Sequence, residues 1–90
     1  MTTIWKYDVM LGDTFTHAMP KGAMPIAVQM QGNVPYFWAL VNTTNEKVLR
    51  RFHVFGTGTT NPALGELDLD YVGTFQMPYT VWHLFVERER

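Results

Sequence analysis

Two adjacent arginines and a glycine–threonine loop are the residues whose types and spacing point to chemistry. Arg50, Arg51 and His53 lie shortly before a segment that reads Gly56-Thr57-Gly58-Thr59-Thr60. Glycine lets backbone N–H groups converge on an anion, and threonine hydroxyls add further donors. Two guanidinium groups clamp a phosphate or a carboxylate in bidentate fashion. The pattern predicts an anion site formed by Arg50, Arg51, His53, Thr57, Gly58, Thr59 and Thr60.

The same residues also fit a structural role. A Gly-x-Gly pattern here lacks the Lys-Ser/Thr of a P-loop and the following helix of a dinucleotide-binding unit. On this alternative, residues 56–60 form a bulge at a strand end that leads into a loop. The arginines then lie on a solvated face.

Aromatic side chains are numerous for so short a chain: six Phe, four Tyr and three Trp in 90 residues. They suit a core, an oligomer interface or a ligand that stacks on them. Trp38 or Trp82 would offer a ring to a nucleobase. The segments 36–41 and 81–86 are apolar on both faces, which favours a homo-oligomer.

Catalytic and metal-binding patterns do not emerge from the sequence. The chain has no cysteine and no serine, and a threonine nucleophile would need a base held close to it. His17, His53 and His83 are widely spaced and share no zinc-site motif. We therefore predict a non-enzymatic protein with no catalytic residue, no metal site and no cofactor.

Charge and hydropathy limit the partners. The net charge is −1, from seven basic and eight acidic side chains, whereas duplex nucleic-acid binders show a basic excess. No apolar run approaches the length of about 20 residues that a membrane span needs. The first residues lack the apolar stretch of a signal peptide. The expectation is a cytoplasmic protein that binds neither duplex nucleic acid nor membrane.

Short apolar runs bounded by glycine or proline organise the whole chain, and runs of this kind are typical of β-strands. Trp5, Tyr7 and Val9 alternate with Ile4, Lys6 and Asp8, and the aromatic set is predicted to face inward. Ile26, Val28 and Met30 share another predicted strand face. The predicted strands are Thr3–Val9, Thr14–Ala18, Met24–Gln31, Tyr36–Asn42, Lys47–Phe55, Asp70–Met77 and Tyr79–Val86.

The longest irregular stretch, residues 56–70, has room for one helical turn, with Asn61 as N-cap and Pro62 at the first position. Gly73 predicts a bulge or a close backbone approach. These features indicate one all-β domain spanning residues 1–90. We predict a small β-sandwich or partly open barrel of about six or seven mainly antiparallel strands.

Several short segments also resemble a family of phage and prophage proteins of about 80–100 residues that is known as a domain of unknown function. The resemblance implies a phage setting and supplies no catalytic residues. The segments that carry it are, in order, Ile4-Trp5-Lys6-Tyr7, Met19-Pro20-Lys21-Gly22-Ala23, Val28-Gln29-Met30-Gln31, Trp38-Ala39-Leu40-Val41, Phe55-Gly56-Thr57-Gly58, Tyr71-Val72-Gly73-Thr74-Phe75-Gln76 and Val81-Trp82-His83-Leu84-Phe85.

Together, the predicted anion site and the phage setting suggest a counter-defence protein. It would bind and sequester a small anionic signal of nucleotide type in the host cytoplasm, as an oligomer. The alternative is a protein-interaction module that inhibits a host defence protein or assembles with a phage component. This analogy rests on the setting and not on a motif.

Overall fold

The computed structural model describes residues 1–10 and 12–89, which form seven strands and one short helix. The helix has four residues, too few to cross a bilayer, and no longer helix occurs in the described residues. The elements are β1 (Thr2–Asp8), β2 (Thr14–Pro20), β3 (Met24–Gln31), β4 (Val34–Asn42), β5 (Lys47–Gly56), α1 (Ala63–Glu66), β6 (Leu69–Met77) and β7 (Thr80–Glu87).

The strands form two antiparallel sheets that pack as a sandwich. One sheet has the order β1-β4-β3 and the other has the order β2-β5-β7-β6. The predicted all-β fold of about six or seven mainly antiparallel strands is confirmed, and of the two predicted architectures the described strands form the sandwich, with two separate sheets. β4 is the central strand of its sheet, and β7 has a neighbour on each side.

Aromatic rings from both sheets meet in the centre of the sandwich. Phe37 of β4 and Phe52 of β5 are fully buried, with ring centroids 4.6 Å apart. Phe15 of β2 stacks on Phe52 at 5.1 Å. Each such side chain contributes a large apolar area to the core. The core therefore depends on inward-facing residues of β2, β4 and β5.

One connection runs the length of the second sheet. β5 and β6 both pair antiparallel with β7, so they are parallel to each other. The segment between them must therefore return from one end of the sheet to the other, and α1 lies within it. The N-cap of α1 is Pro62 and not the predicted Asn61. Asn61 still caps locally, because its Oδ1 accepts a hydrogen bond of 2.9 Å from the Ala63 N–H.

Two predicted strand faces differ in the structure. β3 has a register shift between Pro25 and Ala27, so Ile26 does not share the inner face with Val28. Ile26 is 43% exposed, whereas Val28 is 7% exposed. Trp5 shares a face with the core residue Ala39 but remains 36% exposed. The reason is that β1 lies at the edge of its sheet, where alternation cannot show how much of the face is covered.

The two sheets approach most closely where β6 crosses β3. A Cβ atom added at Gly73 would lie 2.5 Å from Cγ1 of Val28 and 3.3 Å from its backbone nitrogen. The register shift between Tyr71 and Gly73 confirms the bulge predicted at this glycine. Only a residue without a side chain fits this contact.

We predict that Gly73→Ala lowers the free energy of unfolding by about 1–3 kcal/mol, because the new methyl group overpacks the contact with Val28. Gly65→Ala in α1 is the matched control, since a Cβ there meets no atom within 4 Å. Urea denaturation of both variants provides the measurement. Equal stability of the two variants would contradict the close approach.

Candidate anion site

The two arginines that the sequence singled out point to opposite faces of their sheet. Side chains alternate along a strand, so Arg50 shares the inner face of β5 with Phe52, while Arg51 shares the outer face with His53. Arg50 is 6% exposed and the Arg51 side chain is 55% exposed. The two guanidinium groups therefore do not form a clamp from one face.

The predicted partners of these arginines lie at the far end of β5. At the usual rise per residue, the strand from Arg50 to Gly56 covers about 20 Å. This length exceeds the reach of an arginine side chain. The structure therefore does not bring Arg50 and Arg51 together with Thr57, Gly58, Thr59 and Thr60 in one pocket.

Residues 56–60 instead form a tight turn fastened to β7. The Thr57 N–H donates to the Val81 carbonyl at 3.0 Å, and the Thr59 N–H donates to the Gly56 carbonyl at 3.1 Å. Gly58 has a φ of 84°, a conformation that glycine adopts readily. The geometry matches the structural alternative for this loop, in which glycine serves the turn.

A chain of hydrogen bonds ties this turn to β6. The Thr57 hydroxyl lies 2.7 Å from Nε2 of His83, Nδ1 of His83 lies 3.0 Å from the Thr74 hydroxyl, and that hydroxyl lies 2.5 Å from the Tyr71 hydroxyl. Thr57 also donates to the Val81 carbonyl at 3.3 Å. In one assignment of the hydrogens every group donates once. The Tyr71 hydroxyl donates to Thr74, the Thr74 hydroxyl to Nδ1 of His83, Nε2–H of His83 to Thr57, and the Thr57 hydroxyl to the Val81 carbonyl. In that assignment His83 donates to Thr57 and does not act as its base.

His53 is hydrogen-bonded to the Glu87 carboxylate. Its ring is 6% exposed, and Nε2 lies 2.7 Å from Oε2 of Glu87. The same carboxylate oxygen is 3.9 Å from Nε of Arg51. His53 thus orients Glu87 on the outer face of the sheet, and Glu87 partly neutralises Arg51.

The two tryptophans named as stacking candidates lie apart from each other. Trp38 is on the outer face of the first sheet, opposite Lys6 and Ala27. Trp82 packs against the core and contacts the site of Gly56, where an added Cβ would be 3.2 Å from its ring. Neither ring lines a cleft with Arg50.

Arg50 is the polar group in this sandwich whose surroundings point most clearly to a ligand. Its Nη1 donates to the Ala23 carbonyl at 2.8 Å. Its Nε is buried and has no hydrogen-bond partner among the described residues. Most buried polar atoms are paired, so a buried guanidinium nitrogen without an acceptor calls for an explanation.

Two clefts open beside Arg50. One has a volume of about 420 Å³ and is lined by Lys21, Arg51 and Arg88 together with Arg50. The other has a volume of about 600 Å³ and shares Arg50 and Arg88 with the first. Its lining includes Tyr71, which is 58% exposed. We call the two together the Arg50 cleft.

Carboxylates near the Arg50 cleft already have partners. Arg88 pairs with Asp68 and Asp70 at 2.8 Å each, and the hydrogen bond to Asp70 and the charge of Asp68 raise the pKa of Arg88. Both carboxylate oxygens of Glu89 accept hydrogen bonds from the Gly22 N–H. The ion pairs within residues 1–10 and 12–89 leave Lys21 and Arg50 without a carboxylate.

The edge of β5 adds backbone groups to this cleft. β7 pairs with β5 only from Phe52 onward, so no strand of the described residues pairs with residues 47–51 on that side. Bonds from the Val54 N–H to Asp13 and from the Lys21 N–H to Glu46 show that even-numbered residues of β5 face β2. The odd-numbered Leu49 therefore directs its N–H and carbonyl toward the cleft.

Sequence reasoning did not find Lys21 or Tyr71 as site residues. The sequence pattern places Lys21 between two predicted strands and Tyr71 within a third, and gives neither a binding role. Both come close to Arg50 through strand pairing across 20 or more residues.

The described part of the chain holds no group of three or more His, Cys, Asp or Glu side chains that could bind a metal ion.

The fold and the cleft define a small all-β sandwich with a buried arginine at its rim. The chain belongs to the family described as a domain of unknown function, DUF7352, whose model matches residues 1–90. This agrees with the resemblance to a domain-of-unknown-function family, while the phage setting stays a prediction. No curated protein and no solved structure matches the chain.

We predict that Thr57→Val lowers the free energy of unfolding by about 1 kcal/mol, because it removes the hydroxyl that links His83 to the Val81 carbonyl. Thr60→Val is the matched control, as the Thr60 hydroxyl makes no side-chain hydrogen bond within the described residues, and its effect should stay within about 0.5 kcal/mol. Chemical denaturation compares the two. If Thr60→Val lowered the free energy of unfolding as much as Thr57→Val, the hydrogen bonds of Thr57 would not be what stabilises the turn.

Proposed function

We propose that the protein is a non-enzymatic binding protein that sequesters a small anionic ligand of nucleotide type in the Arg50 cleft. The observation that carries the proposal is the buried Arg50 guanidinium, whose Nε has no partner among the described residues. A buried charge without a counter-charge is costly, and an anion that accepts from Nε removes this cost.

Lys21 and Arg51 would bind phosphate together with Arg50. Both line the same cleft as Arg50, and Lys21 has no carboxylate partner in the described residues. A planar guanidinium donates hydrogen bonds to phosphate in a fixed geometry, whereas a lysine ammonium adds positive charge without a strict geometry. The Leu49 N–H, which faces this edge, provides a further donor.

The size of the Arg50 cleft fits a nucleotide better than an inorganic anion alone. Clefts of about 300–1,000 Å³ accommodate small organic ligands. Tyr71 borders the wall shared with Arg50 and Arg88, while its ring packs on Phe85 and its hydroxyl is hydrogen-bonded to Thr74 on the outer face of the sheet.

The biological setting is part of the proposal and follows from the resemblance to phage and prophage proteins. On that basis the ligand is a host defence signal in the cytoplasm, and binding lowers its free concentration. No turnover is required, and the pairing of Thr57 with His83 does not present an activated nucleophile.

A protein-interaction module is the second candidate. The outer face of the first sheet exposes Ile4, Met24 and Leu40, at 53%, 60% and 37%. Contiguous exposed apolar side chains are typical of association surfaces. A stoichiometric host or phage protein captured without any small ligand would favour this candidate.

The proposal is tested by isothermal titration calorimetry with a panel of cyclic nucleotides, ADP-ribose derivatives and pyrophosphate. We predict binding of at least one member and a loss of about 10- to 100-fold in affinity for Arg50→Gln, because a charge-assisted hydrogen bond contributes about 1.5–3 kcal/mol. Lys21→Gln, at an exposed position, should weaken binding without affecting folding.

Lys6→Gln is the matched control, because it removes the same charge from the outer face of the other sheet. It should leave the affinity unchanged. Circular dichroism checks that each variant folds. Binding by none of the panel, or equal losses in Lys6→Gln and Lys21→Gln, would contradict an anion site at Arg50.

A further inference from the structure

The outer edge of β1 presents backbone groups that have no partner among residues 1–10 and 12–89, and the hydrogen bonds at its two ends show which residues carry them. The Thr43 N–H donates to the Met1 carbonyl at 2.9 Å, and the Val9 N–H donates to the Pro35 carbonyl at 3.3 Å. Both bonds follow the register of the β1–β4 pair. Hydrogen-bonded pairs alternate in an antiparallel ladder, so odd-numbered residues of β1 face β4. The even-numbered residues therefore direct their N–H and carbonyl groups outward.

His17 of β2 closes one end of this edge. Its Nε2 lies 2.7 Å from the Asp8 carbonyl oxygen, which confirms that Asp8 points away from β4. The backbone groups of Thr2, Ile4 and Lys6 remain on the open side. They form a free edge of three outward-facing residues, centred on Ile4.

The side chains around this free edge are exposed on both faces. Ile4 is 53% exposed on the outer face, in register with Leu40 of β4 and, through it, with Met24 of β3. These three residues form an apolar row across the sheet. On the opposite face Trp5 is 36% exposed.

We propose that β1 pairs antiparallel with β1 of a second copy, so that two three-stranded sheets join into one six-stranded sheet. The two-fold axis passes beside Ile4, which lies opposite Ile4 of the second copy. Thr2 then lies opposite Lys6 of the other chain. In this register every outward N–H and carbonyl of Thr2, Ile4 and Lys6 meets a partner of the opposite kind.

The second copy is the occupant that the geometry favours. An edge strand without proline or bulge is a template for pairing, and β1 has neither, while His17 covers it only at Asp8. The two-fold operation extends the apolar row from Met24, Leu40 and Ile4 into the same three residues of the other chain. It also brings the two Trp5 rings into a diagonal relation within reach of each other. An isologous contact of this kind closes on itself as a dimer.

The pairing is independent of the Arg50 cleft. β1 belongs to the first sheet, and none of its residues lines that cleft. Loss of anion binding therefore leaves this proposal unaffected, and loss of the dimer leaves the anion site intact. The proposal also differs from an interface on the segments 36–41 and 81–86, since both form interior strands of their sheets.

Sedimentation velocity of the full chain and two charge variants tests the proposal. The wild type should sediment as a dimer of the 10.4 kDa chain. Ile4→Lys and Ile4→Glu should each be monomeric, because like charges then face each other across the axis. An equimolar mixture of the two should again form a dimer, since Lys then faces Glu. Leu64→Lys and Leu64→Glu are the controls, because Leu64 is exposed in α1, away from β1.

A monomeric wild type would overturn the proposal, and so would dimeric Ile4→Lys protein or a mixture that stays monomeric. If an Ile4 variant does not fold, amide hydrogen exchange of the wild-type protein tests the proposal instead. The Thr2, Ile4 and Lys6 amides should exchange more slowly as protein concentration rises. Rapid exchange of these amides in a confirmed dimer would place the interface elsewhere, and a captured foreign peptide on β1 would identify a different occupant.

Discussion

The alternation of side chains along β5 is the constraint on which the rest of the structure depends. It directs Phe52 into the core, where its ring meets Phe37 across the two sheets. The same parity directs Arg50 inward, beside the two clefts that it lines. Arg51 and His53, on the opposite parity, meet Glu87 on the outer face. The inner face of β5 thus contributes Phe52 to the core and, two residues earlier, the buried cation Arg50.

Much of the fold could be predicted from local sequence. The bounds of β3 match the prediction because Gly32 and the turn before Met24 end it clearly on both sides. Gly73 was identified as a bulge or close approach, and it is both, since Val28 leaves no room for a side chain. The bulge at Ile26 was not predictable, because its alternating neighbours give no local signal of a register shift.

The candidate site was harder to predict, for a physical reason. Local sequence places Arg50, Arg51 and the loop at 56–60 close together along the chain, yet an extended strand separates its ends by its full length. Lys21 and Tyr71 reach Arg50 through pairing between distant strands, and a single sequence does not reveal which strands pair. The sequence pattern thus identified two residues of the cleft, Arg50 and Arg51, and grouped them with loop residues that lie at the far end of the strand.

The central claim is that the Arg50 guanidinium is buried, has no acceptor at Nε among the described residues and binds an anion there. NMR observation of the arginine Nε–H resonances during titration with pyrophosphate tests it most directly. The account predicts a slowly exchanging Arg50 Nε–H signal that shifts on titration, while the Thr57 and Thr59 amide signals stay unchanged. An unaffected Arg50 signal, with shifts confined to the amides of residues 57–60, would contradict it.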